Sequence, residues 1–181
     1  MKQFYLILLL GVLITGCKDG AGKYGPNPFS KNDRVTEEPT EEVQSLTRSE
    51  IEAFMQRWIK VYNTHTYDTY VKLYDRELFR GVKRPVGGSK NTYDYDGWVE
   101  NKRSEFRKYK PEVLMDELRI TNLNENGVSK VSFQQTWISY SATYADRGEK
   151  VMTLRKVNGE IKIIYEELLY SEPADEYFYG T

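Results

Sequence analysis

The sequence has very little cysteine and histidine, with one residue of each among its 181 positions. A single cysteine excludes an internal disulfide and a cysteine-rich metal site, and a single histidine disfavours metal centres and catalytic triads that depend on histidine. The chain also contains no P-loop, GxSxG, HExxH, CxxC or EF-hand pattern. We therefore predict neither a metal ion nor a cofactor.

Charge of one sign is not in excess either, because 26 basic and 27 acidic residues leave a net charge of −1. Such a balance does not indicate nucleic acid as a partner. Aromatic residues, in contrast, are abundant and make up 14% of the chain. Together with a mean hydropathy of −0.67, the composition predicts a soluble globular domain with polar segments attached.

The only long apolar run, residues 4–14, follows Lys2 at the N-terminus. It is too short to span a hydrocarbon core of ~30 Å but is typical of a signal peptide. The run leads into the letters ITGC, which resemble a bacterial lipobox ending at Cys17. We therefore expect a lipoprotein signal peptide over residues 1–16 and lipidation of Cys17, which would anchor the protein to a membrane of the bacterial cell envelope. The alternative is an ordinary signal peptide followed by an incidental cysteine.

Residues 17–46 have the composition of a flexible tether. Beyond the cysteine they include three glycines, three prolines and mixed charges, so they offer little apolar surface to bury. The acidic residues between Glu37 and Glu42 are interpreted as a solvated spacer, with an interaction site as the alternative.

Two helices are predicted where the tether ends. Thr47 and Glu50 match a capping box, and apolar residues behind them recur at helical spacing as far as Tyr62. Thr66 is placed to cap a second, shorter helix.

A loop and a third helix follow. The stretch 80–93 contains a proline and a glycine pair, which predicts a loop. Asp94 or Asp96 begins the third helix, and Pro111 marks its end. One side of this helix carries Trp98, Lys102, Phe106 and Tyr109.

Beyond the third helix the apolar period changes to two, which predicts strands. Val113 and Met115 alternate in one phase and Leu118 and Ile120 in the other. A β-bulge near residues 116–117 would return all four to one face.

The next strand places Phe133, Gln135 and Trp137 on one face, which we expect to be turned towards the helices. Residues 158–159, Asn-Gly, predict a tight hairpin into a last strand over residues 161–169.

Helices followed by antiparallel strands predict an α+β fold for residues 47–171. Three N-terminal helices would pack on a curved antiparallel sheet of about four long strands. Residues 172–181 form an acidic, aromatic tail, and the sequence leaves open whether the tail packs on the domain or contacts a partner.

Short segments spread over this domain carry a family resemblance: Tyr70, Tyr74, Phe79, Trp98, Leu118-Arg119-Ile120, residues 131–137, residues 146–150, Leu154, residues 158–163 and Glu166. In this order they resemble the nuclear transport factor 2-like (NTF2-like), or SnoaL-like, superfamily. More narrowly, they resemble small domains appended to L,D-transpeptidase-type murein enzymes of the bacterial envelope. The resemblance implies a cone-shaped fold whose cavity, between helices and sheet, binds a ligand or holds a catalytic Asp, His or Tyr.

Candidate catalytic residues are few. His65 falls in the predicted link between the first two helices, where we expect a solvated side chain rather than a general base. Glu166 lies on the last strand and, if it points inwards, needs a partner such as Lys150 or Arg155. We assign no catalytic residue, and Glu166 and His65 are the remaining candidates.

An amide between two inward aromatic side chains is the better marker of a binding pocket. Gln135 is such a residue, and it would hydrogen-bond either a ligand or a core tyrosine. The candidate ligand-binding residues are Tyr62, Tyr70, Tyr74, Gln135 and Trp137.

Two functions of different class follow. The first is a lipid-anchored envelope protein whose non-catalytic domain binds a ligand or partner, with cell-wall material and a wall enzyme as the classes considered. The alternative is a small SnoaL-like isomerase or hydrolase that uses the cone pocket. A homodimer formed through the sheet stays open in either case.

Overall fold

The computed structural model describes residues 43–125 and 127–179. The predicted signal peptide, the predicted lipidation site at Cys17 and most of the predicted tether lie outside these residues. Within them, no helix is both long enough and apolar enough to cross a membrane.

Four helices and eight strands make up the described part of the chain. The helices are α1 (Arg48–Asn63), α2 (Tyr67–Val71), α3 (Tyr95–Tyr109) and α4 (Glu176–Tyr179). The strands are β1 (Val43–Gln44), β2 (Arg80–Lys83), β3 (Asn91–Tyr93), β4 (Glu112–Glu125), β5 (Val128–Ser139), β6 (Tyr144–Val157), β7 (Glu160–Leu168) and β8 (Glu172–Pro173). The predicted α+β class is confirmed, although the sequence predicts only three helices and about four strands.

All described strands belong to one sheet. Its main path runs β3-β2-β7-β6-β5-β4, and β1 and β8 both pair with β6. Strand β2 runs parallel to β7, whereas the other pairs of strands are antiparallel. The sheet is therefore mixed, and the prediction of a purely antiparallel sheet is wrong. Its long strands β4 to β7 are the four that the sequence predicts.

The segment predicted as a loop, residues 80–93, holds the two short strands β2 and β3. A Cβ atom on Gly81 would lie 2.6 Å from Cε3 of Trp98, so only glycine lets the indole lie against β2. Strand β2 in turn pairs with the free edge of β7. These strands form through long-range pairing rather than through an apolar period of their own, and the sequence pattern therefore misses them.

The predicted β-bulge is present in β4. The register against β5 shifts between Asp116 and Arg119, and Glu117 has a φ of 55°. The apolar side chains on both sides of the bulge consequently pack on one core: Val113, Met115, Leu118 and Ile120. The predicted hairpin is also present, with Asn158 and Gly159 both at positive φ as a tight two-residue turn requires.

The helix ends follow the predicted signals with one exception. Thr47 and Glu50 form the capping box of α1, and Asp94 caps α3 through a 2.9 Å hydrogen bond from the Gly97 amide. The hydroxyl of Thr66, in contrast, makes no capping bond to α2 and lies 3.0 Å from that of Thr64.

Contacts with the folded body extend beyond residues 47–171 at both ends. At the N-terminal end, β1 pairs with β6, and Leu46 is only 2% exposed. The last residues of the predicted tether therefore belong to the domain. At the C-terminal end, Ala174 and Phe178 pack against Ile138 and Ala145 on the face of the sheet opposite Trp137. The described part of the tail is thus attached to the domain.

The main core lies between the helices and the inner face of the sheet. Trp58 of α1 is fully buried and meets Phe133 of β5 at a ring-centroid distance of 5.8 Å. Trp137 points the same way, because its indole Nε1 lies 3.0 Å from the Tyr62 hydroxyl of α1. The predicted inward face of β5 is therefore confirmed.

Candidate functional site

A cavity of about 610 Å³ lies between helix α3 and the inner face of the sheet. Its walls come from β2, β3, α3, β5, β6 and β7, so residues distant in sequence converge on it. Five aromatic side chains line it: Tyr93, Trp98, Tyr109, Trp137 and Tyr144. Flat apolar faces with polar edges suit sugars, peptides and other ligands of mixed polarity.

The aromatic wall is held by edge-to-face contacts. The ring of Trp137 lies 6.0 Å from that of Tyr109 and 6.0 Å from that of Tyr144, and Tyr93 meets Trp98 at 5.7 Å. Such packing orders the rings before any ligand arrives, which reduces the entropy lost on binding.

A first polar cluster in the cavity wall is centred on the carboxylate of Glu105. Lys102 and Lys83 place their Nζ atoms 2.9 Å and 2.6 Å from its two oxygens. The Tyr62 hydroxyl donates to the same carboxylate, and so does the Trp137 indole at 3.3 Å. Burial alone would raise the pKa of Glu105, but the two ammonium groups hold it well below its usual range.

Lys102 is the least compensated cation of this cluster. Its side chain is 3% exposed, and the aromatic rings of Tyr62 and Trp98 each lie 5.1 Å from Nζ. Burial lowers the pKa of Lys102 to about 7, although Glu105 opposes the shift. Glu105 also pairs with Lys83. There the carboxylate raises the lysine pKa, although burial lowers it.

A second polar cluster is centred on Glu166. The Lys150 ammonium lies 2.5 Å from one carboxylate oxygen, and the Tyr74 hydroxyl donates to the other at 2.7 Å. Tyr74 also accepts from the Trp58 indole at 3.1 Å and is bonded to the Tyr70 hydroxyl. The expectation that an inward Glu166 is paired with Lys150 is therefore confirmed.

Gln135 lies on the cavity floor, next to the aromatic wall, and is only 4% exposed. Among the described residues, its amide oxygen has no hydrogen-bond partner. The predicted bonds to Tyr62, Tyr70 or Tyr74 are absent there, because those hydroxyls are engaged by the two glutamate clusters. A buried acceptor left without a partner costs free energy that a ligand donor would recover.

The five predicted ligand-binding residues divide into two groups. Gln135 and Trp137 line the cavity, so both are placed to contact a ligand. Tyr62, Tyr70 and Tyr74 are buried behind the wall and reach it through Glu105 and Glu166. Burial raises the pKa of each of these tyrosines well above its usual range, so they stay neutral donors.

His65 lies between α1 and α2, as predicted, but it is not a solvated linker residue. Its Nε2 lies 2.8 Å from the Pro111 carbonyl oxygen, and its ring meets Phe106 at 5.8 Å. It does not line the cavity, so it fixes the start of β4 against the helices instead.

Four charged residues of the site were not predicted as such: Lys83, Lys102, Glu105 and Asp146. The spacing of α3 places Lys102 on its buried side, which is a usable signal, because an inward lysine needs a partner nearby. Asp146 also lines the cavity, accepts from the Tyr144 hydroxyl at 3.1 Å, and has its pKa raised by burial. No cluster of three or more metal-binding side chains occurs in residues 43–125 and 127–179.

One family model matches the chain. It describes the Cds6 C-terminal NTF2-like domain and aligns with residues 50–167. No curated protein matches.

Solved structures with the same fold are numerous, and their sequence identity to the chain is low. Bd1075 of Bdellovibrio bacteriovorus is 23% identical over 67% of this chain, with a TM-score of 0.55. The cell-shape-determining protein Pgp2 of Campylobacter jejuni is 20% identical over 65%, with a TM-score of 0.52. The chain spans 39% of the length of each of these two proteins. The β subunit of benzoate 1,2-dioxygenase from Burkholderia mallei is 13% identical over 75% of this chain and 95% of its own, with a TM-score of 0.55.

Proposed function

We propose that this chain, which belongs to the family of Cds6 C-terminal NTF2-like domains, binds a ligand in its cone-shaped cavity. The ligand is bound without being chemically converted. The observation that carries the proposal is the state of the polar groups in the cavity. Every oxygen of the two glutamates accepts from a neighbouring side chain, whereas the Gln135 amide oxygen has no partner within the described residues.

Carboxylates that are already paired with ammonium and hydroxyl donors are poor general bases. A base must hold a lone pair within reach of the substrate proton and a pKa near the working pH. Glu105 accepts from four side chains, and its pKa is held well below its usual range. Glu166 is bonded to an ammonium and a phenol. Each of the four carboxylate oxygens therefore already accepts from at least one donor, which makes both groups less suited to take a proton from a substrate.

We propose cell-wall material as the ligand class. Ordered aromatic faces beside charged and amide groups suit a glycan that carries short peptides. A cell-shape-determining protein of Campylobacter jejuni contains a domain of this fold, which supports a role near the wall. The cavity is large enough to enclose a disaccharide or a short peptide.

The binding proposal is tested with muropeptides and the purified full chain. Both the bound mass and the chemical conversion of the muropeptides are followed. We expect retention without conversion, and we expect Gln135→Ala to weaken binding by about 1–3 kcal/mol because it removes a buried acceptor. Gln134→Ala is the matched control, since its side chain lies on the opposite face of β5 and bonds to Tyr170.

Equal affinities of the Gln135→Ala and Gln134→Ala variants would contradict a ligand contact at Gln135. Conversion of muropeptides would instead favour the enzyme alternative.

A small isomerase or hydrolase is the second candidate, and one observation favours it. Asp146 and Lys102 line the cavity, and burial moves the pKa of each towards neutrality. The same muropeptide assay separates the two functions. Turnover that disappears in Asp146→Asn or Glu166→Gln would establish the enzyme, because a general base contributes about 10²–10⁴-fold to the rate.

We also propose that lipidated Cys17 anchors the domain to an envelope membrane. The motif that ends at Cys17 supports this, together with the preceding apolar run. Several acyl chains bind a bilayer durably, whereas one binds marginally. We expect Cys17→Ala to release the protein from membranes or to stall its processing, with Lys18→Ala as the control. Unchanged membrane fractionation and unchanged mature mass would contradict lipidation.

A further inference from the structure

The lysines of the cavity are unequally compensated. Lys150 has Glu166 at 2.5 Å, and Lys83 has Glu105 at 2.6 Å together with the Asn101 side-chain oxygen at 2.6 Å. Lys102 shares the Glu105 carboxylate with Lys83, so two ammonium groups face one carboxylate. Its Nζ lies 2.9 Å from the other Glu105 oxygen, which also accepts from Tyr62 and Trp137.

The remaining surroundings of Lys102 are weak acceptors. The Tyr62 hydroxyl is 3.4 Å away, and the faces of two aromatic rings lie about 5 Å from Nζ. Asp146, the third carboxyl group of the cavity, accepts from Tyr144 instead. An ammonium group has three donors, and buried cations are ordinarily paired with full hydrogen bonding. Because Lys83 and Lys102 share one carboxylate whereas Lys150 has Glu166 to itself, the Glu105 cluster has one ammonium group in excess, and Lys102 is placed to pair with a further anionic acceptor.

We propose that the ligand carries a carboxylate and that Lys102 holds this carboxylate on the α3 side of the cavity. The inference rests on the proposed binding function and specifies its ligand as a peptide-bearing one with a free carboxyl group. Gln135 then accepts from an N–H or O–H group of the ligand on the sheet side. The cavity therefore recognises two groups of the ligand, a hydrogen-bond donor and a carboxylate.

The protonation of Lys102 makes this subsite sensitive to pH. Its pKa is lowered to about 7 by burial, with the ammonium groups of Lys83 and Lys150 acting in the same direction. Glu105 and Glu166 oppose the shift, and Tyr62, Trp98 and Trp137 complete its surroundings. A bound carboxylate favours the charged amine, so binding near neutral pH takes up a proton and weakens as the pH rises above about 7.

The experiment compares two chemical forms of one probe. Muropeptides with free carboxyl groups are titrated into the full chain, and the same muropeptides are titrated after conversion of each carboxyl to a carboxamide. We expect amidation to weaken binding about tenfold or more, as loss of a charge-assisted hydrogen bond does. Lys102→Met should weaken binding of the acid form by a similar factor and leave the amide form unchanged.

Calorimetry in buffers of different ionisation enthalpy adds a second readout. Proton uptake at pH 7–8 should accompany binding of the acid form and should be lost in Lys102→Met. Lys60→Met, an exposed lysine of α1, is the control and should behave as the parent chain.

Each outcome of the experiment is decisive. Equal affinity for acid and amide forms overturns the carboxylate subsite while the binding function stands. An equal effect of Lys102→Met on both forms overturns it as well, because the residue is then structural. Binding of neither form overturns the proposed function and this inference with it.

Discussion

Phe133 and Trp58 form the aromatic contact that joins the sheet to helix α1. Both side chains are buried, so truncation would leave a cavity that the surrounding core fills only in part. We expect Phe133→Ala to lower the free energy of unfolding by about 3–5 kcal/mol in urea denaturation.

Lys130→Ala is the control for this change, because it alters an exposed side chain of the same strand. A similar loss of stability in the two variants would show that Phe133 is not packed as described.

Lys102 should also give the stability of the protein a recognisable pH dependence. Its pKa is lowered from 10.5 to about 7, so between these values the unfolded chain binds a proton that the folded chain does not. The free energy of unfolding contributed by this residue therefore increases as the pH rises from about 7. We expect the stability difference, parent minus Lys102→Met, to grow between pH 7 and pH 9 in chemical denaturation.

The corresponding difference for Lys60→Met should be constant over this range. A constant difference for Lys102→Met too would mean that Lys102 stays charged in the folded protein.

Single residues of the site were only partly predictable from the sequence. Gln135 and Trp137 are found in the cavity because strand alternation fixes which side chains share a face. The ion pairs of Glu105 with Lys102 and Lys83 could not be predicted. Lys83 lies on β2, and the sequence has no apolar period that would indicate this strand or its position beside α3. The predicted tyrosines lie behind Glu105 and Glu166, which separate them from the cavity.

Strand β2 depends on a close approach of helix α3. Gly81→Ala would place a Cβ 2.6 Å from the Trp98 ring and 3.1 Å from the Phe79 ring. Because both rings are buried, we expect a loss of about 1–3 kcal/mol in stability and a change in Trp98 fluorescence.

Thr92→Ala, on the neighbouring strand β3, changes an exposed side chain and serves as the comparison. An unchanged melting temperature and unchanged fluorescence in Gly81→Ala would contradict the packing of Trp98 on β2.

At the level of elements, the sequence pattern was reliable where a period is sustained. The apolar period is repeated over several turns in helices α1 and α3 and over several residue pairs in strands β4 to β7. The bulge at Glu117 is visible in the sequence because the alternation of apolar residues changes phase there. Strands β1, β2, β3 and β8 have between two and four residues each. Strands this short are stabilised by pairing with the edges of longer strands in the folded domain. A local sequence pattern carries no information about that pairing.

For the molecule as a whole, the C-terminal segment packs on one part of the outer face of the sheet, beside Ile138 and Ala145. Phe178 packs with Ile138 and Ala145, and Glu176 lies 2.8 Å from Arg147. We expect Phe178→Ala to cost about 1–2 kcal/mol of stability, because it exposes apolar area, while muropeptide binding on the opposite face is retained.

Asp175→Ala, an exposed change in the same segment, should leave the melting temperature unchanged. Loss of muropeptide binding in Phe178→Ala at a temperature where the protein is folded would contradict the separation of the two faces.

Strand β6 pairs with β1 near one end and with β8 near the other, in addition to its long neighbours β5 and β7. A pulling force applied through the chain before Val43 is therefore borne first by β1, whose two residues peel away from Val157 and Lys156 one after the other. The two-residue strand β1 has few backbone hydrogen bonds to lose, whereas β5, β6 and β7 are paired over most of their length. We therefore expect tension to detach β1 first, at the end of β6 that lies away from the cavity residues Tyr144, Asp146 and Lys150.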